Sequence, residues 1–497
     1  MTGPELTPAA RWRRVLLLCL LVSWLPATWA QGRVLLIWAE QVNMPPSPGL
    51  LEEVGAANGL HLTWVREVAG RFSLLEWRAT GAAMEEAEAL ARLAADPRIA
   101  AVQPDTLRRL QFVPNDPRFV QQWYLYDAAG INAPAAWDLQ RGSAAVVIAV
   151  QDTGKRPHQD IDATRVLPGY DFYSDVIHDN DGQPGWDADP TDPGDAVVAD
   201  ECGPGTEAES SSWHGLAVDG ILMATADNGL GIAGVDHRAR LLPIRVFGKC
   251  GAWASDIFDA MRWAAGLSVA NVPVNPYPAR VINLSLAYDA PCGSVEQSII
   301  NEVIARGAVV VAAAGNEAGN VANVSPASCS GVITVAASDQ AGARASFTNV
   351  GSAVDITAPG VSLMTTYNQG VDAPGADGYA WVSGTSFSTP QVAGVLGLML
   401  ADRPGATVNQ LRQALLAGAR PFPDSSCNTN LCGAGLLDAQ GALLALRALP
   451  APTPATGGGG GGCVQGSESR PEGLWWLGLA WVLYRLWRRN DYVTRQV

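Results

Sequence analysis

Three short stretches hold the residue types from which an activated nucleophile can be built. Ser383-Gly384-Thr385-Ser386-Phe387-Ser388-Thr389-Pro390 packs hydroxyls around a sharp turn that leads into an apolar run at 391–400. An ordinary helix cap needs one such residue, so four hydroxyl residues within five positions exceed what capping asks for. The run brings Ser386 to a helix N-terminus, where unpaired N–H groups and the macrodipole favour a developing anion. Ser211-Ser212-Trp213-His214-Gly215 sets an imidazole at the start of a second helical pattern; the histidines at 61, 158, 178 and 237 lack that setting. The third stretch, Gln151-Asp152-Thr153-Gly154, follows an apolar run and ends it on a carboxylate. Hydroxyl, imidazole and carboxylate together are the parts of a base-activated nucleophile. Asn316 closes Ala312-Ala313-Ala314-Gly315-Asn316, where its amide can donate to an oxyanion. Taken singly, Asp152 and Asn316 read as turn formers and His214 as a surface or capping residue. An aspartic-protease reading of Asp-Thr-Gly needs a second carboxylate sharing the proton, and no second Asp-Thr/Ser-Gly exists.

The elements that must hold these groups follow from periodicity. Continuous apolar runs at 144–150, 241–247, 281–286, 308–314 and 332–336 suit strands buried on both faces. Helical patterns at 214–224, 254–265 and 295–306 lie between them. Such alternation predicts an α/β fold, a mostly parallel sheet with helices on both faces and right-handed crossovers. Chemistry then belongs beyond the carboxyl ends of the strands. Ahead of this domain, residues 31–112 read as a small α+β module, with strands at 33–39, 72–78 and 99–102 and a helix at 84–95. It is either a separate binding domain or a propeptide. Residues 450–462 form a Pro/Gly-rich linker.

The chain has 497 residues, too many for one compact core. Its net charge of −15 excludes a nucleic-acid partner, which needs a basic surface. Arg11, Arg13 and Arg14 precede an apolar run at 15–25 and small residues up to Ala30, the pattern of a secretory signal peptide over residues 1–30. Export makes disulfides the expected state of Cys202, Cys250, Cys292, Cys329, Cys427 and Cys432, with the connectivity left open by the sequence itself. Residues 463–497 add Trp475, Trp476 and Trp481 followed by Arg485, Arg488 and Arg489, a membrane-retention or sorting tail that would anchor the protein at the envelope transiently. The segment 171–195 is unusually acidic, with Asp179, Asp181, Asp187, Asp189, Asp192 and Asp195 among glycines and prolines, and the first four of these are oxygen ligands that suit Ca2+ or simply a solvated face. The loop is not an EF-hand, because Pro190 stands where the bidentate Glu is needed.

Asp-Thr-Gly, His-Gly, Ala-Ala-Gly-Asn and Ser-Gly-Thr-Ser-x-x-Thr-Pro, in this order, resemble the subtilisin-like serine proteases, or subtilases, of the secreted bacterial type. The resemblance covers residues 113–449. It implies a serine endopeptidase with Ser386 as nucleophile, His214 as general base, Asp152 as its orienter and Asn316 in the oxyanion hole. It also implies Ser285, Leu286, Ala287, Ala314 and Gly315 as walls of a substrate pocket, and residues 31–112 as an inhibitory propeptide of a zymogen. Polypeptide substrates, structural calcium, and the pairs Cys202–Cys250, Cys292–Cys329 and Cys427–Cys432 follow from the same likeness. Leu216, Asp219, Gln391 and Tyr288 depart from the family pattern on the substrate side without removing a catalytic group. The C-terminal tail together with Leu216 and Asp219 motivates the rival reading, a cell-surface binding or scaffold protein on an inactive protease fold.

Overall fold

A computed structural model describes residues 31–81, 84–106, 112–183 and 185–450. The expected signal peptide and C-terminal tail therefore lie outside the described residues, as does nearly all of the linker. The chain divides into two compact units between Gln111 and Phe112.

In the first unit, β1 (Gln31–Trp38), β2 (Leu60–Val68), β3 (Phe72–Ala79) and β4 (Ile99–Pro104) form an antiparallel sheet in the order β2-β3-β1-β4. Helices α1 (Pro48–Asn58) and α2 (Glu86–Ala95) accompany it. Val34, Leu36, Leu75, Trp77, Val54 and Leu93 form its core. Strand β2 and helix α1 were not expected. Charged Arg66 and Glu67 interrupt the alternation of β2 at the sheet edge, and α1 carries an interior Gly55.

The second unit contains a seven-stranded sheet in the order β11-β10-β9-β8-β5-β7-β6, and every recorded pairing in it is parallel. Its strands are β5 (Val147–Asp152), β6 (Tyr170–Asp171), β7 (Arg240–Arg245), β8 (Val281–Leu284), β9 (Val309–Ala313), β10 (Ile333–Ser338) and β11 (Ile356–Pro359). Alternation along β5 explains the two layers. Ile148 and Val150 join the core beneath α3 (His214–Met223) and α6 (Thr385–Asp402), while Val147 and Ala149 join the one beneath α4 (Ala254–Ala264) and α5 (Ser294–Ala305). The α/β expectation holds. Strands β6 and β11 are too short to show a period, and β11 ends on Pro359. The three disulfides pair as the family likeness implied: Cys202–Cys250, Cys292–Cys329 and Cys427–Cys432.

Candidate active site

Helix α6 begins in a way only its sequence permits. Its cap, Gly384, has φ +151° and ψ 157°, a conformation essentially closed to residues with a Cβ. The hydroxyls that follow then sort themselves. Thr385 Oγ1 donates to Asn316 Oδ1 (3.0 Å) and accepts from Gly315 N (3.1 Å). Ser388 Oγ turns to the carbonyls of Ala358 and Pro359, and Thr389 Oγ1 to that of Thr385. Ser386 Oγ, on a half-buried residue, has no partner among the described residues. Of the hydroxyls in this turn of helix, it is the one free to react.

Pro390 serves the same residue. A helical residue at 390 would donate its N–H to the carbonyl four positions back, that of Ser386, and proline has no N–H to give. The freed carbonyl accepts from Ser285 Oγ at 2.7 Å, and Asn283 Nδ2 donates to that hydroxyl at 2.9 Å. Ser285 thus braces the nucleophile's turn from the end of β8, a role that residue spacing alone does not reveal. Gln391 is also absorbed here, its amide donating to Pro359 O and Phe387 O.

Asn316 lies just past β9. Its Oδ1 is held by Thr385 N at 2.9 Å, which fixes the flip of the amide and leaves Nδ2 exposed, with no acceptor among the described residues. A donor held but unspent is what an oxyanion requires.

His214 opens α3. Its Nδ1 faces both oxygens of Asp152, at 2.8 and 2.9 Å, and Asp152 is almost completely buried at the end of β5. The imidazole is 27% exposed on its side chain, so one edge stays open. Burial disfavours its charged form, but the charge and hydrogen bond of Asp152, with the charges of Asp195 and Asp192, more than offset this and raise its pKa. Its ring centroid lies 5.2 Å from that of Phe387, the residue after Ser386. Among the described residues no hydrogen bond joins the ring to Ser386 Oγ; such contacts commonly tighten only when substrate binds.

The helix that carries His214 is anchored by a relay that sequence reasoning missed. Gly215 N–H donates to Thr153 Oγ1 (3.0 Å), and Thr153 Oγ1 donates to buried Asp192 (2.7 Å). Asp195 accepts from both Ser212 N and Ser212 Oγ at 2.6 Å. A side chain at 215 would stand 2.5 Å from Gly154 O, so the close approach of α3 to the turn after Asp152 needs glycine there. Burial pushes Asp192 up to about 6. The only sequence signal was the acidic loop itself, which suggested metal or solvent rather than support for His214.

The expected metal ligands separate. Asp179 and Asp181 come together with Asp171, one oxygen of each within 4.8 Å of the others. Asp187 and Asp189 do not join them: Asp187 Oδ1 accepts from Asp189 N while its Oδ2 is buried without a partner among the described residues, and Asp189 Oδ1 accepts from Thr191 N and Oγ1. Arg245 enters the acidic cluster, donating to Asp171 (2.6 Å), Asp179 and Asp181. One guanidinium faces three carboxyl groups, burial pushes Asp171 up to about 7 and raises Asp179 as well, and Asp179 Oδ2 is buried without a partner among the described residues. That orphaned oxygen suits a hard cation. Of the expected pocket walls, Leu286, Ala314 and Gly315 are buried and Ala287 is exposed; Ala314 packs with Val321 and Val324. Tyr288 donates its hydroxyl to buried Glu296 at 2.9 Å.

Comparison with known proteins follows the same lines. The profile described as the subtilase family matches residues 143–442. An extracellular protease of Xanthomonas campestris pv. campestris is 44% identical over 363 residues, which cover 72% of this chain and 62% of that protein. An extracellular basic protease of Dichelobacter nodosus is 36% identical, covering 72% and 61%. The chain thus spans under two thirds of the length of these two relatives. Thermitase of Thermoactinomyces vulgaris is 34% identical, covering 61% of this chain and 90% of thermitase. A solved protease structure from Pseudoalteromonas arctica aligns with a TM-score of 0.65 at 45% identity, over 67% of this chain and 100% of that one.

Proposed function

The chain belongs to the subtilase family, and on that premise we propose that it is an exported serine endopeptidase made as a zymogen. Ser386 Oγ attacks the scissile carbonyl carbon while His214 Nε2 takes its proton. The new C–O bond leaves a tetrahedral oxyanion facing Asn316 Nδ2 and the Ser386 N–H. Collapse breaks the C–N bond, and His214 returns the proton to the departing amine. Water, deprotonated by the same imidazole, then releases the acyl group and restores Ser386. Asp152 holds Nδ1–H of the ring and stabilises the imidazolium without itself taking the proton.

The observation that supports this most strongly is the hydroxyl accounting at the start of α6: Thr385, Ser388 and Thr389 are committed and Ser386 is free. Polypeptides are the substrates, bound extended along the strand ends with Ser285, Leu286, Ala287, Ala314 and Gly315 as pocket walls. Residues 31–112 serve as the intramolecular inhibitor, residues 1–30 direct export, and residues 463–497 retain the protein at the envelope before processing. Calcium, where bound, is structural, and Asp171, Asp179 and Asp181 would hold it beside Arg245. The test is hydrolysis of casein by the exported protein. Activity that falls below about a thousandth of the parent in Ser386→Ala supports the reading; retained hydrolysis in that variant refutes it.

A further inference from the structure

Asp219 plays no part in the mechanism above, yet its position is unusual. It sits in α3, five residues after His214, where the other residues from Gly215 to Met223 are also buried. Its side chain is 3% exposed, Oδ1 is buried with no partner, and no hydrogen bond reaches the carboxyl from any described residue. Leaving a buried carboxyl unpaired is costly, and burial together with the charge of Asp152 drives its pKa well above the ordinary value.

Asp219 lines a cavity of about 390 Å3 built largely by residues 155–166, the segment that follows the triad carboxylate. Pro157, Ile161, Ala163, Val166 and Leu241 supply apolar wall. Most polar groups there are committed. His158 Nε2 faces Gly378 O and its Nδ1 accepts from Asp160 N. Arg156 donates to Asp192 O and lies over the ring of Trp213, though its Nε has no partner. Lys155 Nζ donates to Pro168 O at 3.3 Å, and Asp377 accepts from Gln159 N. The buried groups of the lining left without a partner among the described residues are Asp219 Oδ1 and Arg156 Nε, and Asp219 is the acceptor of the two. A metal ion would want six or more oxygens; one carboxyl facing apolar wall instead suits a cation that carries its own apolar stem.

We propose that this cavity is a binding site for a small organic cation, an alkylammonium whose N–H groups pair with Asp219 and whose stem lies against Ile161, Val166 and Leu241. Binding leaves Asp219 ionised, the proton passing to solvent. Because Asp219 shares a helix with His214 and feels the charge of Asp152, occupancy and the triad are coupled, and the coupling is reciprocal.

The test is calorimetric titration of n-butylammonium into the full chain carrying Ser386→Ala, which prevents self-digestion and keeps the result independent of catalysis. We expect a dissociation constant on the order of a millimolar, weakened about tenfold or more in both Asp219→Asn and Asp219→Ala. n-Butanol, with the same stem and no charge, should bind at least about tenfold more weakly than n-butylammonium to the parent chain. That comparison stands even where a variant fails to fold. Equal binding of butanol would overturn the proposal, as would unchanged affinity in folded Asp219→Asn. Preferential binding of inorganic phosphate, through Arg156, would overturn it too. So would binding seen only after Lys155→Gln, since the cation would then be the chain's own.

Discussion

Ser386, His214 and Asn316 each have one polar atom held and another left open, and this division makes the predictions at residue scale specific. Asn316 Oδ1 is bound by Thr385 while Nδ2 is unspent. Asn316→Ala should lower kcat about a hundred- to a thousandfold with little change in KM, the range established for the corresponding donor of subtilisin itself. Steady-state kinetics on a peptide substrate check it; a change confined to KM would assign Asn316 to ground-state binding instead. His214 must be neutral to take the proton from Ser386. Its pKa is raised, so kcat/KM should fall as pH drops through a value above the ordinary imidazole value of about 6.5. The charge of Asp195 contributes to that rise. Asp195→Asn removes the charge and should move the acid limb to lower pH; a limb that stays in place would show that Asp195 acts on Ser212 alone.

At the scale of elements, the fold converts chain order into a site by ending strands at one edge. Asp152 is the last residue of β5, and Asn316 and Ser285 follow closely after β9 and β8. Helix α6 is tied to those ends by Ser285 and Thr385. If Pro390 exists to free the Ser386 carbonyl for Ser285, the two residues must be energetically coupled. Ser285→Ala should destabilise the unit by about 1–3 kcal/mol, because it takes the partner from the Ser386 carbonyl and from the Nδ2 of buried Asn283. Adding Pro390→Ala should recover part of that loss, because the new N–H can take the carbonyl. A double-mutant cycle by denaturant unfolding measures the coupling; strictly additive effects would break the link. These contacts also mark what could be read from residues alone. The long strands and helices were legible because apolar runs and helical periods are local. The triad and the oxyanion asparagine were legible as candidates because their motifs sit at element ends. Strand β11 and the relay Gly215–Thr153–Asp192 were not. The first is four residues long, and the second joins groups 62 and 39 residues apart through hydroxyl geometry that no spacing encodes. The acidic loop misled for the same reason: Asp192 and Asp195 support His214, while Asp171, in the same acidic segment but at the end of β6, completes the group with Asp179 and Asp181.

Across the whole molecule, an anionic chain with three disulfides among its described residues suits an oxidising, solvent-exposed setting. If the cluster of Asp171, Asp179 and Asp181 holds structural calcium as proposed, the stability of the fold should depend on that ion. At a free concentration a hundred times the dissociation constant, binding should contribute about 2.7 kcal/mol of stability. A chelator should therefore lower the melting temperature of the parent and change that of Asp179→Asn much less; equal shifts would remove the cluster as the ligand set. The central claim, that distant segments of one chain meet to activate one hydroxyl, has a still more direct test. The exported protein would be treated with a fluorophosphonate and the adduct located by mass spectrometry of its peptides. The account predicts a single modified residue, Ser386, and no modification once His214 is replaced by Ala. An adduct on another residue, or undiminished labelling of Ser386 without His214, would contradict it.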